Sequence, residues 1–154
     1  IRHSNIYGDH DKYDLEKSHV FGASITKVMN AKNEVVIWGK GEEKRDLLYV
    51  GDLVDGIHLV LENLLLTPAI NHHEIYNLGT GKSNELMDYI ECLEDELGRV
   101  SLKNYLPMHP ADVKSTQADI TKIQGLGYNP TTTIQEGVKH FTDWFKDYYK
   151  GMYF

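Results

Sequence analysis

Ile1-Arg-His-Ser-Asn-Ile-Tyr-Gly-Asp-His-Asp-Lys-Tyr-Asp-Leu-Glu-Lys-Ser-His19 is the stretch whose reading decides the fold. Apolar and polar residues mix through Tyr7, and Gly8-Asp9-His10-Asp11 then gathers turn-forming residues. The pattern predicts a short strand that ends in a long polar loop, with a helix starting near Ser18. In an open α/β sheet, polar side chains at the end of a strand are well placed to meet a ligand. Spacing alone fits an ordinary strand-loop-helix connection equally well.

Outward from this stretch, Phe21, Ile25, Val28 and Met29 fall on one face of a helix over residues 20–31. Val35-Val-Ile-Trp38 is a β-branched run that reads as a strand, ended by Gly39-Lys-Gly41. Asp46-Leu-Leu-Tyr-Val50 reads as a second strand that could pair with the first around the glycine turn. The connection is long for a tight hairpin. Asp52 is placed to cap a helix with an apolar stripe of Leu53, Ile57, Val60, Leu61 and Leu64, closed by Thr67-Pro68. Glu74–Leu78 reads as a strand ending in Gly79-Thr-Gly81. Leu86, Ile90, Leu93 and Leu97 mark the next helix, stopped by Gly98. Val100–Asn104 is a further candidate strand, and residues 105–118 read as an irregular loop holding Pro107 and Pro110. Asp119 could cap a short helix reaching Leu126. Thr133 and Glu136 form a capping box for a last helix with Ile134, Val138, Phe141 and Phe145 inward, and Trp144 and Tyr148 beside them. With no internal repeat or low-complexity linker, residues 1–154 read as a single α/β domain of mixed helices and short strands.

A hydrophobic fraction of 41% and a charged fraction of 25% place the chain among ordinary globular domains. The net charge of −7, with no Lys/Arg-rich run, argues against a nucleic-acid partner. No apolar run approaches the ~18 residues of a membrane span, and no signal-peptide pattern is present, so a cytoplasmic location is expected. Ile1 in place of Met fits a piece of a longer protein. Cys92 is the only cysteine and falls in an apparent helix, which suits a buried spectator thiol better than a nucleophile.

Trp38-Gly-Lys-Gly-Glu-Glu-Lys-Arg45-Asp-Leu-Leu-Tyr-Val-Gly-Asp52 is the second informative piece. A forked guanidinium beside a glycine turn suits a diphosphate, because Arg donates in pairs to phosphate oxygens. Other signals fail on their own terms. Gly81-Lys82-Ser83 has Tyr76 where a phosphate-binding loop needs glycine, and Gly39-x-Gly41 leads to a strand and lacks the third glycine of a dinucleotide fingerprint. His72-His73 has no companions at metal-ligand spacing, so no metal site is expected. Pro130 bars Asn129 from glycosylation.

Asn5-Ile-Tyr-Gly8 and Lys17-Ser-His-Val20 resemble the segment after the catalytic helix in the extended short-chain dehydrogenase/reductases that act on nucleotide sugars, the NAD-dependent epimerase/dehydratase family. The Trp38–Asp52 stretch resembles the same family: an aromatic-Gly-x-Gly turn, Arg-Asp, Leu-Tyr-Val, then a helix-starting Asp. The loop around His10–Asp14 is most similar to the GDP-L-fucose synthases. The tail Leu106-Pro-Met-His-Pro-Ala-Asp112, with Gln117-Ala-Asp119, is most similar to the UDP-glucuronate 4-epimerases.

The resemblance implies the C-terminal, substrate-binding part of an extended Rossmann-type enzyme, its N-terminal dinucleotide-binding part absent. It implies a nucleotide-diphosphate sugar as substrate and NAD or NADP as cofactor, bound mainly by the missing part. A homodimer of the full-length enzyme, and catalytic inertness of this portion alone, follow from the same likeness. Arg45 would contact the diphosphate, Lys27 would reach it, and Trp38 would touch the substrate. Asn5 would lie where cofactor and substrate meet. His19 would contact the nicotinamide and move protons, as a group titrating near neutrality can. Read on residues alone, Lys27 could equally be a solvated lysine, Trp38 a core or hinge aromatic, and His19 a structural histidine. Asn77 matches another family position, where a strand-end role is the simpler reading. Tyr13-x-x-x-Lys17 mimics the family's catalytic pair but follows the Asn-x-Tyr-Gly segment instead of preceding it. Asp9 and Gly22 stand where prolines are common in the family, and Ala111 where glycine is usual, which leaves Asp112 a weak candidate. A non-catalytic binding module of the same fold is the rival reading.

Overall fold

A computed structural model of the chain describes residues 1–13, 20–29, 34–66, 73–108, 110 and 112–149. The sequence patterns resolve into β1 (Arg2–His3), β2 (Asn5–Tyr7), α1 (Val20–Met29), β3 (Glu34–Trp38), β4 (Lys44–Arg45) and β5 (Leu47–Tyr49). Next come α2 (Val50–Leu66), β6 (Asn77–Leu78), β7 (Asn84–Glu85), α3 (Leu86–Leu97), β8 (Leu102–Leu106), α4 (Thr121–Gln124) and α5 (Ile134–Tyr148).

Three strand pairs are parallel and join distant parts of the chain: β1 with β6, β2 with β5, and β3 with β8. Parallel pairing requires long crossovers, and the helices supply them. The expected pairing of Val35–Trp38 with Asp46–Val50 does not form. Gly39 and Gly41 have φ of 90° and 84°, and the Glu43 carboxylate accepts from Lys40 N and Gly41 N at 3.3 and 2.9 Å. This closed loop sends the chain away from β3 and into β4, which runs antiparallel to β7.

Alternation along β3 sets its two faces. Val35 and Ile37 are buried in the core, whereas Val36 and Trp38 face a cavity. On β5, Leu47 enters one hydrophobic cluster and Leu48 another. The larger cluster joins Phe21, Ile25, Val28 and Met29 of α1 to Ile90 and Leu93 of α3 and Val138, Phe141 and Phe145 of α5. These are the stripes the sequence predicts, and each fully buried side chain of this kind contributes about 1.5–3 kcal/mol. Ser24 and Thr26 are buried as well, and Thr26 Oγ1 donates to the Tyr13 carbonyl at 3.0 Å. α5 starts with the expected capping box: Glu136 N donates to Thr133 Oγ1 at 3.2 Å and Thr133 N to Glu136 Oε2 at 2.9 Å. Gly98, at φ 62°, ends α3.

Several boundaries differ from expectation. α2 begins at Val50, so Asp52 lies inside its first turn. Its carboxylate accepts from Thr131 N and Thr132 N at 3.4 and 3.2 Å, which fixes the approach to α5. Of the α2 stripe, Val60 is buried and Leu53 and Ile57 pack on the second cluster, while Leu61 and Leu64 are exposed. Only Asn77–Leu78 of the 74–78 segment is strand, and β8 extends to Leu106 because its partner β3 runs that far. The short helix stops at Gln124, with Asp119 Oδ1 accepting from Thr121 N at 3.0 Å. Thr67-Pro68 and residues 30–31 lie outside the described residues.

Candidate substrate-binding site

Beyond the C-terminal ends of β2 and β3 opens a cavity of about 790 Å³. Its walls come from β2 and the turn after it, from Phe21 of α1, from Val36 and Trp38 of β3, and from Arg45 and Asp112. The turn is sharply built. Gly8 has φ 136°, and a Cβ there would lie 2.8 Å from Val50 Cγ1 and 2.9 Å from Tyr49 Cε2, so only glycine fits. Asp11 N donates back to the Gly8 carbonyl at 3.1 Å. His10 is the only non-glycine residue with positive φ among the described residues, at 64°. Its ring lies 5.0 Å from that of Trp144, which braces this conformation.

Arg45 is the cationic feature of the wall. Its Nη2 donates to Asp112 Oδ1 at 2.7 Å and its Nη1 to the Lys44 carbonyl at 2.9 Å, and its side chain is only 15% exposed. The segment bearing Asp112 is strapped to β4: Lys44 N donates to the Lys114 carbonyl and Thr116 N to the Lys44 carbonyl, at 2.8 and 3.0 Å. Trp38 is 47% exposed, which is not the burial of a core aromatic. Asn5 lines the same cavity, and its backbone N donates to the Asp46 carbonyl at 3.2 Å.

Asp46 holds this wall together. It is fully buried, with Oδ1 accepting from Thr80 N and Thr80 Oγ1, both at 2.8 Å, and from Ser4 Oγ at 3.3 Å. Oδ2 accepts from Gly81 N and Ala118 N at 3.1 and 3.0 Å. The Gly79-Thr-Gly81 turn therefore cradles an internal carboxylate, and a Cβ on Gly79 would come 2.6 Å from Asp46 Oδ2.

Asn5, Trp38 and Arg45 are thus brought to one cavity. Lys27 lies half-buried on α1 and is not among the described residues of the cavity wall. His19 lies outside the described residues. Asn77 borders a smaller neighbouring hollow, with Nδ2 donating to the Asp119 carbonyl at 3.0 Å, a strand-end role. Asp9, His10 and Glu43 line the cavity and Asp46 supports it, yet their residue types alone do not mark them as site residues. An acid beginning the apolar run Asp46-Leu-Leu-Tyr was the one available signal, because a carboxylate so placed must find several donors.

Burial raises the Tyr49 hydroxyl above its usual range, and the carboxylates of Asp9 and Asp52 add to that shift. Burial, followed by Asp95 and its acidic neighbours, raises the Cys92 thiol, which suits an inert side chain. Among the described residues no His, Cys, Asp or Glu group is arranged to hold a metal ion, and no helix is long and apolar enough to cross a membrane.

The chain is an α/β fold with a large cleft at its strand ends, and Arg45 and Trp38 both line that cleft, the place where open α/β sheets bind ligands. Residues 1–79 match the family model of the NAD dependent epimerase/dehydratase family. The chain is 32% identical over 96% of its length to a UDP-glucuronate 4-epimerase of Thermodesulfobacterium geofontis, covering 42% of that protein. It is 27% identical over 92% of its length to GDP-L-fucose synthase 1 of Arabidopsis thaliana, covering 43% of it. The crystal structure of the Bacillus cereus UDP-glucuronic acid 4-epimerase with UDP-glucuronic acid and NAD superimposes with a TM-score of 0.81 at 29% identity. That match covers 96% of this chain and 45% of the enzyme. The chain belongs to the NAD-dependent epimerase/dehydratase family, with the fold of the short-chain dehydrogenase/reductase epimerases. It spans about half the length of the curated relatives it matches.

Proposed function

We propose that this chain is the substrate-binding, C-terminal portion of an NAD(P)-dependent nucleotide-sugar epimerase, dehydratase or reductase. The observation that carries the reading is Arg45, a guanidinium in the cavity wall with an exposed aromatic, Trp38, on the same wall. A diphosphate would compete with Asp112 for Arg45 Nη2 and take both prongs of the fork. Trp38 would stack on the base or sugar, and Asn5 would donate to and accept from the ligand where substrate meets cofactor. Lys27 would join the diphosphate contacts and His19 would move a proton at the sugar, as the family resemblance implies.

Bound nicotinamide would supply the hydride chemistry. The described residues include no glycine-rich loop leading into a helix, so a preceding part of the longer enzyme would hold most of the dinucleotide. This portion alone would then bind without turning over. A GDP-L-fucose synthase-like role in making sugars for cell-surface polysaccharides, by a cytoplasmic homodimer, is the reading drawn from the loop around His10. The tail through Asp112 favours the alternative, a UDP-glucuronate 4-epimerase-like enzyme.

Calorimetric titration of the chain with GDP, UDP and dTDP tests the site and names the base. Saturable binding of one nucleotide is expected, weakened roughly 10- to 100-fold by Arg45→Ala, the worth of one or two hydrogen bonds to a charged group. Binding that is indifferent to Arg45→Ala would overturn the diphosphate assignment.

A further inference from the structure

Among the described residues α5 supplies none of the cavity wall, yet one face of it is keyed along β2 and the turn that follows. Gly137, His140 and Trp144 stand at i, i+3 and i+7 on that face. Gly137 leaves the space that the Tyr7 hydroxyl occupies. The His140 ring is centred 5.7 Å from that of Tyr49, and Tyr49 in turn closes against Gly8. The Trp144 ring is centred 5.0 Å from that of His10 and is itself stacked with Phe141 and Tyr148, at 6.1 and 5.4 Å. His10 is the residue that needs such a hold. Its φ of 64° is left-handed, a conformation that a residue carrying a Cβ keeps only where its surroundings impose it. Asp11 N donates across it to the Gly8 carbonyl at 3.1 Å, so the backbone of His10 sets the shape of the turn. Gly8, Asp9, His10 and Asp11 all line the cavity beside Asn5.

We propose that Trp144 is a positioning residue of the binding site: by holding the His10 ring it keeps the Gly8–Asp11 turn in the shape the ligand meets, and so couples α5 to nucleotide-sugar affinity. The inference rests on the reading of this cavity as the nucleotide-sugar site. Without the indole, His10 spends most of its time outside the left-handed region, and the fraction of molecules with a formed wall drops. Affinity drops by the same factor, because binding must first restore the turn. Glycine enters the left-handed region freely, so the brace matters only while residue 10 carries a side chain.

The test is a double-mutant cycle between His10→Gly and Trp144→Leu, read by calorimetric titration with UDP-glucose and GDP-mannose and by amide exchange at Asp11. In the native chain Trp144→Leu should weaken the nucleotide sugar that binds by roughly tenfold, the order of the left-handed cost, and speed exchange at Asp11. In the His10→Gly chain the same substitution should change affinity by less than about twofold, because no strained residue is left to hold. Trp144→Phe, which keeps a ring against His10, should stay within about threefold of the native affinity. His10→Ala removes the ring and keeps the Cβ at an exposed position, so it should lose affinity as Trp144→Leu does while leaving α5 untouched. Equal losses from Trp144→Leu in both backgrounds would show a general loosening of α5 and overturn the proposal. A His10→Ala chain that binds as tightly as His10→Gly overturns it too. Binding that survives Arg45→Ala sinks the diphosphate reading instead and leaves the Trp144 cycle standing. Binding of neither nucleotide sugar overturns both.

Discussion

Gly137 lies in the first turns of α5, where helix propensity alone favours alanine by ~1 kcal/mol. The tertiary structure predicts the opposite sign. A Cβ on Gly137 would sit 2.2 Å from Tyr7 Oη, 2.9 Å from Cζ and 3.1 Å from Cε2. Ordinary van der Waals contact begins at 3.4 Å, so the ring or the helix must move by more than an ångström. Tyr7 has little room to retreat, being only 2% exposed with the Tyr89 and Tyr49 rings centred 5.4 and 6.0 Å away. Overpacking a closed core costs ~1–3 kcal/mol, occasionally more. The 2.2 Å approach to Tyr7 Oη puts the cost in the upper part of that range, so after the propensity gain Gly137→Ala should lose about 1–2 kcal/mol. In urea unfolding the midpoint should fall with the slope unchanged. Thermal unfolding should come roughly 2–8 °C lower for a chain of this size. In a Tyr7→Phe background the loss should shrink, because the nearest clashing atom is gone. A midpoint that rises in Gly137→Ala would refute the packing argument and leave propensity in command.

Two further outcomes follow from the buried polar groups. Asp46→Ala leaves Thr80 N, Gly81 N and Ala118 N, all part-buried, without their acceptor, so it should cost about 3 kcal/mol and loosen Ser4 and the Gly79–Gly81 turn, read by urea unfolding and amide exchange at Thr80 and Gly81. Glu94 is 8% exposed; burial pushes its carboxyl up, but hydrogen bonds from Lys103 Nζ at 2.5 and 2.6 Å and from Ser101 outweigh it and hold it below the ordinary range. A depressed carboxyl stabilises the fold above the unfolded value, ~4.3, and that stability is lost as pH falls through the folded one. Lys103→Met removes the Lys103 share of the depression and leaves the Ser101 bonds, so its stability deficit should be largest near neutrality and shrink below about pH 4. A deficit of constant size across that range would show that Glu94 does not titrate as argued.

Much of the helical frame was legible because amphipathic periodicity is a local code. Phe21, Ile25, Val28 and Met29, and likewise Val138, Phe141 and Phe145, are buried where a 3.6-residue period puts them. The Thr133–Glu136 box and the Gly98 stop depend on neighbours three or four residues away, and both form. The strand pairings were not legible in this way. Whether Val35–Trp38 pairs with Asp46–Val50 or with Leu102–Leu106 depends on crossovers that no short window contains. Asp52 shows the same limit: by spacing it caps its own helix, but its carboxylate reaches the turn before α5, some eighty residues on.

The sequence by itself determined the α/β class, the family likeness carried by Asn5–Gly8 and Trp38–Asp52, and the candidacy of Asn5, Trp38 and Arg45. These are properties of residue type and near-neighbour spacing. Only the tertiary structure decided that those three share one cavity, that Lys27 is not among the described residues on its wall, that Asp112 pairs with Arg45, and that Asp46 fastens three separate segments behind them. It alone set Trp144 of α5 against His10 in the cavity turn. The physical reason is that pairing, burial and competition for donors are settled between residues far apart in the chain, and become definite only when the chain has packed.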